Sequence, residues 1–353
     1  MLAPSPTPVR DKKYFKSLAK HCSQYRGADT IRSIAQASTT FVLFALAMFA
    51  VYTCVINNYW LAYAALLLPT AGLLVRVFIV QHDCGHGSYF KKKSHNAWMG
   101  RFTSLLTWTP YSFWRKTHNL HHAASGNLDR RGYGGIETMT VSEFKLLTPI
   151  QQKLYRLYRN AYLTLGLGTP FYTIIMQRFM VSEPLLPQFS EKHDLKDYWK
   201  SIHSTNLALL VTYGVIGSFI GFTTLIITYL PVLFLTSIIG GWLFFVQHQF
   251  EETYWENDKE WDYNEAALMS SSYYVMPKIL QWFTGNIGIH HVHHLNANIP
   301  NYRLQDCVDA CSDLDNMNRL TLRESLTCIP LALWDEDDKK LISFKDMDIK
   351  QAA

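Results

Sequence analysis

The residues whose types and spacing could do chemistry are histidines. The chain has 14 of them, and nine fall into a pattern. His82 and His86 form H-x3-H in QHDCGHGSYF. His118, His121 and His122 form H-x2-HH in THNLHH, and His290, His293 and His294 repeat that spacing in HHVHHL. His248 stands alone in FFVQHQFEETYW. On an α-helix, residues three and four apart share a face, so each box presents its imidazoles as one stripe. Neutral imidazole suits iron, zinc, copper and nickel. Nine donors exceed the four of a structural zinc site. They suit two ions, each with four or five nitrogens and an open position for oxygen or water. Carboxylate-rich di-iron bundles use Glu and E-x2-H instead, and E-x2-H does not occur here. Taken singly, an H-x3-H pair reads as a surface feature and His248 as a satisfied helix-end residue; it is their combination that argues for one site. His291 lies outside the spacing and reads as a supporting or exposed residue. His21, His95, His193 and His203 have no partner at metal spacing.

The elements that must bring these boxes together are legible from charge. Of 353 residues, 48% are hydrophobic and 17% charged, against about 25% charged in ordinary soluble domains. The windows 33–75 and 201–250 total 93 positions without one Asp, Glu, Lys or Arg, where an even spread would put about 16. A plain soluble globule and a disordered chain are both excluded, because a soluble helix pair shows a charged face and disorder is charge-rich. A crossing needs about 20 apolar residues, so each window holds two crossings and a turn. In the first, Asn57 and Asn58 separate Phe41–Ile56 from Trp60–Val80. In the second, the runs are about Leu207–Ile227 and Pro231–Val246, with Pro231 placed in the first turn of its helix, where its missing N–H costs nothing.

Two hairpins return the chain to its starting side. Residues 1–32, 81–203 and 249–353 then share one face and hold 32 of the 33 Lys and Arg, Arg76 lying near that end of the first hairpin. The positive-inside rule makes that face cytoplasmic, and all nine patterned histidines fall on it. Single crossings would have separated them. The expected fold class is an all-α integral membrane protein: one domain over 1–353, hairpins at 38–80 and 204–248, interfacial helices, and a cytoplasmic helical cap. The run 161–180 is interrupted by Gly166, Gly168, Pro170 and Arg178 and is expected at the membrane surface. The N-terminus lacks the pattern of a secretory signal. Six cysteines without CxxC spacing read as free thiols. The net charge of +5, without an aromatic-interleaved basic stripe, gives no reason to expect nucleic acid.

The boxes, together with HDCGHGSYF, SGNLDRRG, LYRLYRN, QHQFEETYW, LQWFTGNIGIHHVHHL, IPNY and LWDEDDKKLISF, resemble the membrane fatty acid desaturases, nearest the bacterial acyl-lipid delta-5/delta-12 (omega-6) branch. The resemblance covers roughly residues 38–345. It implies four membrane helices, a cytoplasmic cap in a bacterial cytoplasmic membrane, and two iron ions, a choice that spacing alone leaves open. It carries the ligand role onto His82, His86, His118, His121, His122, His248, His290, His293 and His294. Some relatives add an Asn acting through water, for which Asn286 is a weak candidate.

The resemblance further implies the activity: O2 and two electrons remove one hydrogen from each of two adjacent carbons of a lipid acyl chain, leaving a cis double bond. The chain has no G-x-G-x-x-G, P-loop or H-P-G-G haem motif, so the electrons are expected from a separate carrier, ferredoxin-like or cytochrome b5-like. A hydroxylase or acetylenase on the same scaffold is the alternative. A histidine-rich metal transporter is a remote one, because transport would place ionisable ligands near mid-membrane. Trp108, Phe113, Trp114, Trp282 and Phe283 are candidates for lining an acyl slot or for interfacial anchoring. Arg115, Lys116, Arg130 and Arg131 are candidates for a head group or redox partner. Asp83 and Asp129 are candidates for orienting a ligating imidazole, as metal-bound His requires, or for helix capping.

Overall fold

A computed structural model describes residues 11–132, 134–179 and 193–352. The first ten residues, where a secretory signal would begin, and Met180, the end of the weaker apolar run, lie outside the described residues. Helix α1 (Lys12–Cys22) leads to α2 (Thr30–Ile56) and α3 (Trp60–His86). Next come α4 (Lys93–Thr107) and α5 (Tyr111–Ala124). The second long pair is α6 (Trp199–Ile220) and α7 (Phe222–His248). The helices that follow include α8 (Tyr263–Met269), α9 (His290–Leu295) and α10 (Asn301–Asp309). Among the described residues four helices, α2, α3, α6 and α7, are long and apolar enough to cross a membrane. The fold is that of an all-α integral membrane protein.

Local chemistry sets the helix ends. The Asp29 carboxylate accepts from the Ile31 and Arg32 amides at 3.0 and 3.1 Å and so starts α2. Asn57 and left-handed Asn58 turn the chain into α3. Gly87, at φ +74°, ends α3. The 27 residues of α3 measure about 40 Å, some 10 Å more than the hydrocarbon. That surplus is the two turns carrying His82 and His86, so the first box rides on the membrane helix itself.

The second hairpin corrects the sequence expectation. Its turn is at Gly221, and Pro231 lies inside α7 rather than in a first turn. A proline there leaves the carbonyl four residues earlier without its helical donor. That carbonyl is on Ile227, and the Tyr63 hydroxyl of α3 donates to it at 2.8 Å. A tertiary hydrogen bond thus lets the helix run through a residue that reads locally as a start signal.

The segment 161–174 is a helix broken by a wide turn at Thr164–Gly168 and packed on α7, where a Cβ at Gly241 would lie 2.5 Å from Thr169 Cγ2. At about 21 Å it is too short to cross. Within 249–353, the short helix Lys278–Phe283 folds back along α3. Phe283 fills the space at Gly72, and the Arg76 guanidinium donates to the Trp282 carbonyl while lying 4.2 Å over its ring. Gly72 is 14 residues before His86, about 21 Å along the helix.

Short strands add to the helical expectation. Parallel β1 (Met139–Thr140) and β4 (Leu331–Asp335) are extended by antiparallel β5 (Lys340–Ser343). Parallel β2 (Tyr273–Val275) and β3 (Arg319–Thr321) form a second pair. These runs are too short for a period to show in sequence. All six cysteines are free, with Cys22 and Cys307 sulfurs 3.7 Å apart.

Candidate metal centre

The nine patterned histidines meet. They divide into two groups, His82, His86, His118, His122 and His293 in one, and His121, His248, His290 and His294 in the other, with the potential ligand atoms of each group within 4.8 Å of one another. Helix α3 presents the first box and α5 the second, where the adjacent His121 and His122 serve different groups. Helix α9 is one turn and a half, entirely buried, and likewise splits adjacent His293 and His294. Neighbouring residues on a helix diverge by about 100°, which is what H-x2-HH supplies for a pair of ions side by side.

The nitrogens face each other. Nε2 of His122 lies 3.1 Å from Nε2 of both His118 and His293, and Nε2 of His248 lies 3.0 Å from Nε2 of both His121 and His290. Two nitrogens each about 2.1 Å from one ion are about 3.0 Å apart at right angles and about 3.4 Å apart in a tetrahedron. These contacts are short enough for one ion to be shared by the rings of each group. Both ring nitrogens of His294 and Nε2 of His86 are buried without a hydrogen-bond partner among the described residues. A buried nitrogen so left costs free energy, and an ion would satisfy it. Burial, reinforced by neighbouring imidazoles, pushes His118, His121, His122, His290, His293 and His294 well below the ordinary histidine range. The rings are therefore neutral, as metal binding demands.

Side chains behind the rings fix their orientation. His248 Nδ1 lies 3.0 Å from the Ser270 carbonyl, an acceptor that selects Nε2 for the ion. Gln247 donates to the Ile287 carbonyl at 3.0 Å and its own carbonyl accepts from the Ser272 amide, tying the end of α7 to the strand and loop before the third box. Asp83 does two jobs. One oxygen is 3.1 Å from His82 Nδ1, and the other accepts from the Asn301 backbone and side-chain amides at 2.7 and 2.8 Å. It thus orients a box-one imidazole and caps a helix, though the helix is α10 rather than its own. Asp129 instead accepts from the Asp258 amide at 2.8 Å and serves the loop.

The remaining candidates separate. Trp114 stacks on His118 with ring centres 4.6 Å apart, and Phe78 meets its other edge. Trp108 packs with Tyr213 and Tyr229, Phe113 with Leu195 and Ile202, and Trp282 and Phe283 against α3. Arg131 is held by Glu143 and the Thr138 carbonyl, and Arg130 pairs with Asp258 at 3.0 Å, whereas Arg115 is exposed. His291 is neither exposed nor a member of either group; its Nε2 meets the Leu314 carbonyl at 2.9 Å and its ring stacks on Tyr273. The Asn286 amide reaches the Asn301 carbonyl at 3.5 Å. Phe244 escaped the sequence reading. Its ring centre lies 5.1 Å from those of both His121 and His248, and its position one turn before His248 was the available signal.

Comparison with known proteins agrees with this geometry. The fatty acid desaturase family model matches residues 58–325. The chain belongs to the fatty acid desaturase family. It is 38% identical to a fatty acid desaturase of Bacillus subtilis over 94% of this chain and 91% of that one. It is also 29% identical to the sn-1 acyl-lipid omega-3 desaturase (ferredoxin) of a Nostoc species, over 71% and 67% of the two chains. With the sn-1 oleoyl-lipid 12-desaturase of a Synechocystis species it shares 25% identity over 84% and 81%. The matched region of this desaturase contains all nine grouped histidines and helices α3, α6 and α7, and begins just after α2.

Proposed function

We propose that the protein is an oxygen-dependent desaturase of lipid acyl chains, with two iron ions held by His82, His86, His118, His122 and His293 on one side and by His121, His248, His290 and His294 on the other. The observation that carries this reading is the five-plus-four division of the nine imidazoles on a desaturase scaffold. Iron supplies the oxidising power that no side chain has toward an unactivated C–H bond. The chain's own residues hold the rings in one tautomer and exclude bulk water. They also fix where an acyl chain lies, with Trp114 packed against the His118 ring at the face of the five-histidine group. Positioning of this kind decides which adjacent carbons react.

On this reading 1–32, 81–203 and 249–353 belong to the cytoplasmic side, with 161–179 at the membrane surface and Lys278–Phe283 reaching back along α3. The membrane is the bacterial cytoplasmic one, where a lipid substrate and a soluble carrier both have access. Relatives that use ferredoxin support a ferredoxin-like donor.

Expression in a host lacking desaturases, with mass spectrometry of its lipids, tests the reading. Loss of two hydrogens and a new cis double bond are expected, and gain of one oxygen atom would instead mean a hydroxylase. Alanine at His82, His118, His121, His122, His290 or His294 should abolish product while the protein still inserts. Full activity in several of these variants, or stoichiometric zinc that persists when iron is supplied, would overturn the assignment.

A further inference from the structure

Of the nine grouped histidines, His82 is the one whose second nitrogen meets a carboxylate among the described residues, and that carboxylate is itself held from two directions. We infer that Asn301 and Gln36 are positioning residues for the metal ligand His82, acting through Asp83, and that they make the five-histidine group the tighter of the two metal sites. This rests on the two-ion reading above.

The hydrogen bonds permit one assignment of atoms. An ionised carboxylate only accepts, so the His82 Nδ1–H donates to Asp83 Oδ1 and leaves Nε2 for the ion. The Asn301 atom facing Asp83 Oδ2 at 2.8 Å must be its Nδ2. Its Oδ1 then faces Gln36 and accepts from Nε2 at 2.7 Å, while Nδ2 also approaches Gln36 Oε1 at 3.2 Å. Gln36 and Asn301 therefore form a reciprocal amide pair. The chain of contacts runs from α2, through the first residue of α10, to α3 and the imidazole.

Each link is fixed by its surroundings. His82, Asp83 and Asn301 are at most 3% exposed. The Asn301 backbone amide, free at the start of a helix, adds a second donor to Asp83, and the helix dipole favours the negative charge there. A Cβ at Gly285 would lie 3.2 Å from Asn301 Oδ1, so the backbone closes the remaining side. A carboxylate behind a ligating imidazole raises its basicity, and losing such a partner costs about 10- to 100-fold in metal affinity. The four-histidine group has a neutral carbonyl behind His248; among the described residues buried unpartnered Nδ1 atoms occur in both groups, on His290 and His294 and on His122, so the carboxylate behind His82 is what distinguishes the five-histidine group.

Cobalt(II), whose visible absorption reports its ligand geometry, tests this on the full-length protein in nanodiscs. The unaltered chain should bind two ions in two steps, the tighter one at the five-histidine group. Asn301→Leu and Gln36→Leu should weaken the tighter step about tenfold and alter its spectrum, leaving the second step unchanged. Gln36→Glu, which keeps an acceptor for Asn301 Nδ2 but loses the donor to Oδ1, should fall between. Asp83→Asn should weaken the step by up to about 100-fold. Gln36 is half-buried at the edge of the chain, so its variants carry the test if Asn301→Leu does not fold. Two-ion binding in the unaltered protein with both steps identical in the Gln36 and Asn301 variants would overturn the inference alone. Failure of the unaltered protein to bind two ions would instead overturn the two-ion reading on which it rests.

Discussion

Gly85 lies between the two histidines of the first box, and a methyl group there would reach the candidate metal centre through one tryptophan. A Cβ at Gly85 would sit 2.7 Å from Trp114 Cζ3, where carbon atoms prefer about 3.5–4.0 Å. The indole would have to retreat by about 1 Å. It has little room: its face is stacked on His118, and Phe78 closes one edge. The strain is steric alone, since Gly85 lies within helix α3. Alanine gains about 1 kcal/mol over glycine in a helix interior, and overpacking costs about 1–3 kcal/mol. The net change in stability is therefore at most about 2 kcal/mol. Activity should suffer more, because a displacement of about 1 Å at a reacting centre costs about 100-fold. Gly85→Ala should thus insert, melt within a few degrees of the parent and retain most of its metal, yet lose nearly all product in lipid mass spectrometry. Adding Trp114→Phe, a smaller ring, should restore part of that loss. Parental activity in Gly85→Ala, or a double variant no better than the single one, would refute the packing argument.

Three further outcomes follow from particular contacts. The hydroxyls of Tyr213 and Tyr229, from α6 and α7, donate to the last carbonyls of α4, Leu105 at 2.9 Å and Leu106. Tyr229→Phe leaves the latter unpaired and should cost about 1 kcal/mol, seen as a lower melting temperature in detergent. Arg131 and Glu143 form a two-point ion pair, and Glu143 also accepts from the Thr140 amide at 2.8 Å. Arg131→Met should therefore destabilise more than Arg131→Met combined with Glu143→Gln, because the single change strands a largely buried carboxylate; equal melting of the two would refute this. The metal-free protein should lose stability as pH falls below about 6.5. There the unfolded chain binds protons that the six buried histidines with depressed values refuse, at up to about 1.4 kcal/mol per pH unit for each. Above that pH these residues contribute no slope. Identical melting of metal-free protein at pH 7.5 and 5.5 would contradict the burial argument.

Much of this protein is legible in its sequence because membranes and metals both impose hard rules. A bilayer tolerates few charges, so the charge-free windows announce two helical hairpins without any knowledge of packing. Helical periodicity turns H-x3-H and H-x2-HH into stripes of imidazole, and the hairpin topology puts every stripe on one face. The set of nine grouped histidines and the number of crossings were reachable on those grounds, and the family through the resemblance carried by the boxes and their flanking motifs.

Tertiary structure decided what depends on contacts between distant segments. It divided the histidines five and four, separating the adjacent pairs 121/122 and 293/294, because only the relative rotation of α3, α5, α7 and α9 says which nitrogens share a centre. It carried α7 through Pro231, because a tyrosine from another helix repairs the lost hydrogen bond. It gave Asp83 both of the roles that sequence alone left as alternatives, because the helix it caps begins 218 residues away. Local sequence fixes which groups are offered, and long-range packing fixes which groups meet.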